Sequence, residues 1–250
     1  MIYNHKETQM KLTDDSISKF DLLIQTALTT GIKKLIIEND KIRGIDEKQT
    51  VVIITSDNVP DFEGKQIGIN RLDSLAARLN LVKSQGNIQI EATEASNGTD
   101  ISILDLSCGK TKAQFRCASV EAVKGVPKNI ADTLVWDIKI DGKTLQTISK
   151  AVTAMGAETI TIASKDGKSA SFELVDSNKD VFTMDLPDAP EWIGQTTSPN
   201  SFCQKYPAKT FVSLVKEGLT TSDPLTMMMG EGGLFAFKVN GFTFFMLPAQ

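Results

Sequence analysis

The sequence is poor in the residues most enzymes rely on. It holds one histidine, His5, and three cysteines, Cys108, Cys117 and Cys203, in 250 residues. His5 sits in a polar N-terminal stretch with little to fix an imidazole, so a Ser/His/Asp or Cys/His nucleophile system has no foundation. The cysteines are odd in number, form no CxxC pair and lack a second histidine. That argues against both a disulfide framework and a zinc site and leaves buried free thiols as the reading. No metal and no cofactor are expected. Long hydrophobic runs are missing as well. The longest, such as Val51–Thr55 and Phe242–Pro248, are strand-sized, against the roughly 20 residues of a membrane span. Met1–Met10 is polar and has no apolar signal-peptide core, so a cytosolic location is expected. The 17 glycines and 8 prolines are scattered and mark no long flexible tail.

Acidic residues outnumber basic ones, 31 to 27, for a net charge of −4. This argues against a surface that coats nucleic acid everywhere, but not against a single basic face, so the distribution of the cations decides.

The strongest pattern is a repeat of one helix followed by three strand-like segments, which occurs four times. The first helix is expected over Asp14–Leu28, with Thr13 as N-cap and Ile17, Phe20, Ile24 and Leu28 at helical spacing. Strands Lys34–Glu38, Lys41–Ile45 and Thr50–Thr55 follow. The second unit has Asn70 as cap, helix Arg71–Val82 and strands Asn87–Ala92, Asp100–Leu106 and Thr111–Ala118. The third has helix Lys143–Met155 and strands Thr159–Ser164, Ser169–Leu174 and Asp180–Leu186, with Asp166-Gly167 as a turn. The fourth opens at Pro207, a favoured first helical residue, and continues with Leu225–Met229, Leu234–Val239 and Phe242–Leu247. Ser119–Thr133 fits no unit and reads as a connector. The expected fold is α+β: two similar domains, 10–118 and 134–250, joined by connector 119–133, each with two helices packed on antiparallel sheet.

Three of the helices carry basic residues seven apart. Lys143-Thr-Leu-Gln-Thr-Ile-Ser-Lys150 and Lys209-Thr-Phe-Val-Ser-Leu-Val-Lys216 share one pattern, and Arg71 with Arg78 repeats the spacing. At about 100° per residue such positions differ by only about 20° around the axis, so each pair forms one stripe. One such stripe reads as a solvated face. Three in register within an acidic protein read as a surface that meets phosphates, without the base-reading helix that sequence preference would need. The first helix breaks the pattern, with Asp15 and Leu22 at those positions. Two other motifs dissolve on inspection. Gly109-Lys110-Thr111 lacks the first glycine of a P-loop and reads as a turn, and Met227 and Met229 fall on one strand face and read as core.

Four helix-plus-three-strand units in two domains with cation-bearing helices resemble the DNA sliding clamps, over nearly the whole chain. Leu234-Phe-Ala-Phe followed by Phe242-Thr-Phe-Phe-Met-Leu-Pro248 resembles the last hairpin of PCNA, and Ile45–Val52 resembles the loop and strand beside that family's partner pocket. The two-domain size resembles PCNA and T4-type phage clamps more than the three-domain bacterial clamp. The resemblance implies a homotrimeric ring that encircles double-stranded DNA without sequence preference, tethers a DNA polymerase and is opened by a clamp loader ATPase, with no bond chemistry of its own. It implies DNA-facing Arg71, Arg78, Lys143, Lys150, Lys209 and Lys216, with Lys83 and Lys205 nearby. It further implies a partner-peptide pocket walled by Ile45, Val52, Val126, Ile130, Phe245, Leu247 and Pro248. Subunits would join through edge strands containing Thr111, Phe115 and Cys117 on one side and Val181, Thr183 and Asp185 on the other. Two alternatives stay open: a monomeric DNA-holding processivity factor of the same fold, and a phage-like structural or interaction protein in which the basic pairs are incidental.

Overall fold

Each of the four expected repeats opens with a strand that the apolar pattern alone does not announce. The structure, a computed structural model, describes residues 8–194, 201–218 and 225–249; His5 lies outside them. The first repeat is β1 (Gln9–Lys11), α1 (Asp14–Thr29), β2 (Ile32–Ile37), β3 (Ile42–Asp46) and β4 (Val51–Thr55). The second is β5 (Ile67–Ile69), α2 (Leu72–Lys83), β6 (Gln89–Glu94), β7 (Ile101–Cys108) and β8 (Thr111–Arg116). The third is β9 (Leu134–Ile140), α3 (Gly142–Met155), β10 (Thr159–Ser164), β11 (Ser171–Val175) and β12 (Val181–Asp185). A short β13 (Glu191–Trp192) precedes the fourth: β14 (Phe202–Pro207), α4 (Ala208–Gly218), β15 (Leu225–Gly230), β16 (Phe235–Val239) and β17 (Phe242–Met246).

The opening strand of each repeat joins the sheet of its sibling. β1 pairs with β6 and β5 pairs with β2; β9 pairs with β15 and β14 pairs with β10, all antiparallel. Each half therefore has two sheets where the sequence led us to expect one. In the first they run β1-β6-β7-β8 and β5-β2-β3-β4, and in the second β12-β11-β10-β14 and β13-β9-β15-β16-β17. By contact the chain divides into two compact units, residues 1–28 with 32–128, and 129–250 with 29–31.

The helices form for the expected reasons. Thr13 Oγ1 accepts from the Ser16 amide at 3.2 Å to cap α1, and Phe20, Leu23 and Ile24 are fully buried along it. Asp141 caps α3 by accepting from the Thr144 amide at 2.6 Å, and Gly156 closes the helix at φ 63°, where a Cβ would be strained. The bonds from Thr144 hold the Asp141 carboxyl below its ordinary range. Two starts differ from the sequence reading. The N-cap position of α2 belongs to Arg71, which makes no side-chain cap, and Pro207 ends β14 instead of opening α4. Asn70 therefore stands one residue too early to cap, and the missing β14 explains why Pro207 looked like a helix start. In each unit the second helix bridges its two sheets: α2 packs on β7 and β8 and on β2, while α4 packs on β10 and β14 and on β16.

The thiols are free, but only Cys108 is buried. Cys117 is half-buried, and desolvation pushes its thiol up to about 12, against a smaller opposing effect of Arg71. Cys203 is exposed, because strand alternation turns Tyr206 inward and Cys203 outward. Gly109 turns at φ 57° between the paired Cys108 and Thr111, as a hairpin requires, and Met227 and Met229 are core.

Candidate nucleic-acid interface

The two halves treat their cations differently. In the second unit α3 buries Thr144, Leu145, Ile148 and Val152 and leaves Lys143, Gln146, Thr147, Lys150 and Thr153 exposed. This outward stripe contains no acid. α4 buries Phe211, Leu214 and Val215 and exposes Lys209 and Lys216. The two helices pack against each other. At 1.5 Å per residue, the lysines of each pair start about 10 Å apart along their helix. Lys143, Lys150, Lys209 and Lys216 make no ion pair among the described residues, nor does the exposed Lys205 of β14. The local reason is composition: α3 has no carboxylate in Gly142–Met155.

In the first unit the corresponding cations are already engaged. Lys83 Nζ donates to Asp21 Oδ2 at 2.6 Å and Lys33 Nζ pairs with Asp73 at 2.8 Å, while Lys19 is held by Asp15 at 2.7 Å. Arg71 lies over the Phe115 ring, 5.4 Å from its centroid, and donates to the Arg116 carbonyl at 3.3 Å. Arg78 Nε donates to the Gln114 carbonyl at 3.1 Å, and its Nη1 to the Ser74 carbonyl at 2.8 Å and to the Ser74 hydroxyl. Helical spacing located the side chains of this helix but not their partners, which are 36 to 45 residues away for the strand carbonyls.

The edge strands read from the sequence are edges in the structure. β8 and β12 each end a sheet. Cys117 donates its amide to Ser102 at 2.9 Å, so in the antiparallel alternation Thr111, Ala113 and Phe115 also face β7 and the backbone groups of Lys112, Gln114 and Arg116 turn outward. Thr111, Phe115 and Cys117 are thus one residue out of step with the outward register. On β12 the Leu186 amide bonds to Ala170 at 2.8 Å, which turns the backbone of Val181, Thr183 and Asp185 outward, with their side chains exposed.

Of the residues read as a partner pocket, Ile45 and Val52 are cross-strand neighbours on β3 and β4 and both buried, and Val126 is half-buried. In the second unit Phe245 is buried, Ile130 and Pro248 are half-buried and Leu247 is 45% exposed. Sequence reasoning missed what anchors the connector. Lys41 Nζ donates to the Lys128 carbonyl at 2.8 Å, Lys34 Nζ to that of Lys124 and Arg43 to that of Pro127, both at 3.4 Å. Arg43 is itself buried and clamped by both oxygens of Glu38, at 2.8 and 2.9 Å.

The Arg43 guanidinium bonds hold the Glu38 carboxyl below its ordinary value against the opposing effect of burial, with further help from the charges of Arg43, Lys41 and Lys128. A carboxyl whose folded pKa is depressed contributes stability that is complete above its unfolded pKa, about 4.3, and is lost as pH falls through the folded value. Glu38→Gln is therefore expected to lower the urea midpoint at pH 7 and to lower it by less at about pH 3. An equal loss at both pH values would mean that the ion pair contributes nothing.

These parts, two β-rich units each with a helix pair, exposed lysines on two helix faces and two open sheet edges, define the class of DNA-clamp folds. Comparison with solved structures agrees. The chain is similar to an A. fulgidus PCNA bound to the C-terminal region of FEN-1, with TM-score 0.65 and 14% identity, covering 97% of this chain and 98% of that one. It is similar to the PCNA of Thermococcus kodakaraensis, with TM-score 0.63, 13% identity and coverage of 96% and 99%. A PCNA2–PCNA3 complex from Sulfolobus tokodaii gives TM-score 0.62, 18% identity and coverage of 96% and 99%. No protein-family model matches the chain, and no curated protein sequence does. The fold is that of the sliding clamps, at identities where only the fold is shared.

Proposed function

We propose that this chain is a sliding clamp: a ring of three copies that encircles duplex DNA and tethers a polymerase for processive synthesis. The observation that carries the reading is the face of α3 and α4, where four exposed lysines make no ion pair among the described residues and the α3 stripe holds no acid. Lysines used as point charges hold phosphates of any sequence, which permits movement along the duplex. Closing a ring turns that weak contact into confinement, so a tethered polymerase rebinds at high effective concentration. In this reading Lys143, Lys150, Lys209 and Lys216 are the principal DNA contacts. Lys205 is secondary, and Arg71, Arg78 and Lys83 contribute only when released from their partners within the chain. The two units are the two clamp domains, linked by connector 119–133.

Edge strands β8 and β12 are the subunit contacts. The stretch Lys110–Arg116 carries three cations and no acid, while Asp176–Asp188 carries four aspartates and one lysine, so the two edges are complementary in charge as well as unpaired. A partner segment, of the kind the A. fulgidus protein takes from FEN-1, would use the apolar Ile45, Val52 and Val126 of the first unit. A separate ATPase would open the ring.

One observation favours the monomeric reading: two of the three outward carbonyls of β8, those of Gln114 and Arg116, are already occupied by arginines. Solution mass measured by light scattering across a concentration range decides between the two. A species of three times the chain mass supports the ring, and a monomer at every concentration overturns it.

A further inference from the structure

The arginines of α2 do something the DNA-contact reading does not explain. Three outward residues of β8, Lys112, Gln114 and Arg116, offer backbone groups to a neighbouring strand, and two of their three carbonyls are taken, by Arg78 and Arg71. An exposed sheet edge templates strand addition unless something blunts it. A strand docking there would run about 4.8 Å from β8, through the space on the outward side of those carbonyls.

We propose that Arg71 and Arg78 form a latch on the β8 edge, which the β12 edge of a second copy must displace, so that closing the seam frees two guanidinium groups for DNA phosphate. The proposal rests on the ring reading above. Occupant and latch are matched by charge: the aspartates at 176, 180, 185 and 188 flank the incoming strand and draw it toward a basic edge. The latch holds in the lone subunit because a guanidinium donates charge-assisted bonds to carbonyls that water alone would otherwise satisfy. Displacement returns Arg71 and Arg78 to the exposed side of α2, where their seven-residue spacing gives the same stripe as the lysine pairs of α3 and α4. Self-association and DNA binding then strengthen each other, since whatever draws the arginines away from the strand favours the seam, and the seam favours phosphate contact.

The test is self-association of Arg71→Lys/Arg78→Lys against the wild type by sedimentation, without DNA. Lysine keeps the positive charge that attracts the acidic edge but loses the Nε donor and the fork of the guanidinium. The expected result is tighter association, by about 10-fold in the dissociation constant, equivalent to about 1.4 kcal/mol. Association that is unchanged or weaker, in a wild type that does form trimers, overturns the latch and leaves the ring standing. A wild type and variant that both stay monomeric at every concentration overturn the ring reading and the latch with it. Far-UV circular dichroism checks folding. Should the double variant not fold, Arg71→Lys alone serves, because this exposed side chain holds the strand by one hydrogen bond and its stacking over Phe115, and lysine keeps the cation over the ring.

Discussion

Reversing two charges, Lys150→Glu with Lys216→Glu, should reduce duplex affinity by about 100-fold at 0.1 M salt and flatten the salt dependence, each lost phosphate contact lowering the slope by about 0.9. Both residues lie on the exposed faces of α3 and α4 and make no ion pair among the described residues, so folding should be unaffected. The matched control is Lys165→Glu with Lys168→Glu, in the exposed turn between β10 and β11, which changes net charge equally. Fluorescence anisotropy with a labelled duplex over a salt series reads both quantities. If the control weakens binding as much as the helix variant, overall charge governs binding and the α3–α4 face is not an interface. If neither does, the DNA reading fails.

Thr183→Pro should abolish self-association while leaving the subunit folded. Thr183 is on edge strand β12 with its amide turned away from β11, so proline removes a donor that only an added strand would use. The expected change is a rise of at least about 100-fold in the trimer dissociation constant, because the proposed ring would place the same edge in all three seams. Met184→Pro is the contrast, since that amide faces β11 and its loss should destabilise the sheet by about 3 kcal/mol. Trimers that survive Thr183→Pro would place the seam elsewhere.

How much of this could be read from the sequence depended on the range of the interaction. Thr13, Leu145, Ile148 and the Asp166-Gly167 turn act within a few residues, and the helices and hairpins they define lie within a residue or three of expectation. The strands preceding the first two helices were invisible for the opposite reason. β1 and β5 are only three residues long, and their pairing partners lie in the sibling repeat. For the site, periodicity placed Lys143, Lys150, Lys209 and Lys216 on exposed faces correctly, because exposure of a helix stripe is a local property. It could not show that Lys83 ends at Asp21 or that Arg71 and Arg78 end on β8. A cation's counter-ion is chosen by the tertiary fold, and nothing in a seven-residue spacing encodes it.

The exchange of opening strands between sibling repeats has a consequence for how the chain gains order. A nascent chain released after β4 would hold a helix and a three-stranded sheet, with β1 lacking its partner until β6 is made, 78 residues after β1 ends. The smallest cooperative unit is then a pair of repeats, and native-state hydrogen exchange should resolve two protected blocks in place of four. Each block closes only through pairings distant in sequence, which makes folding slow compared with a chain of independent repeats.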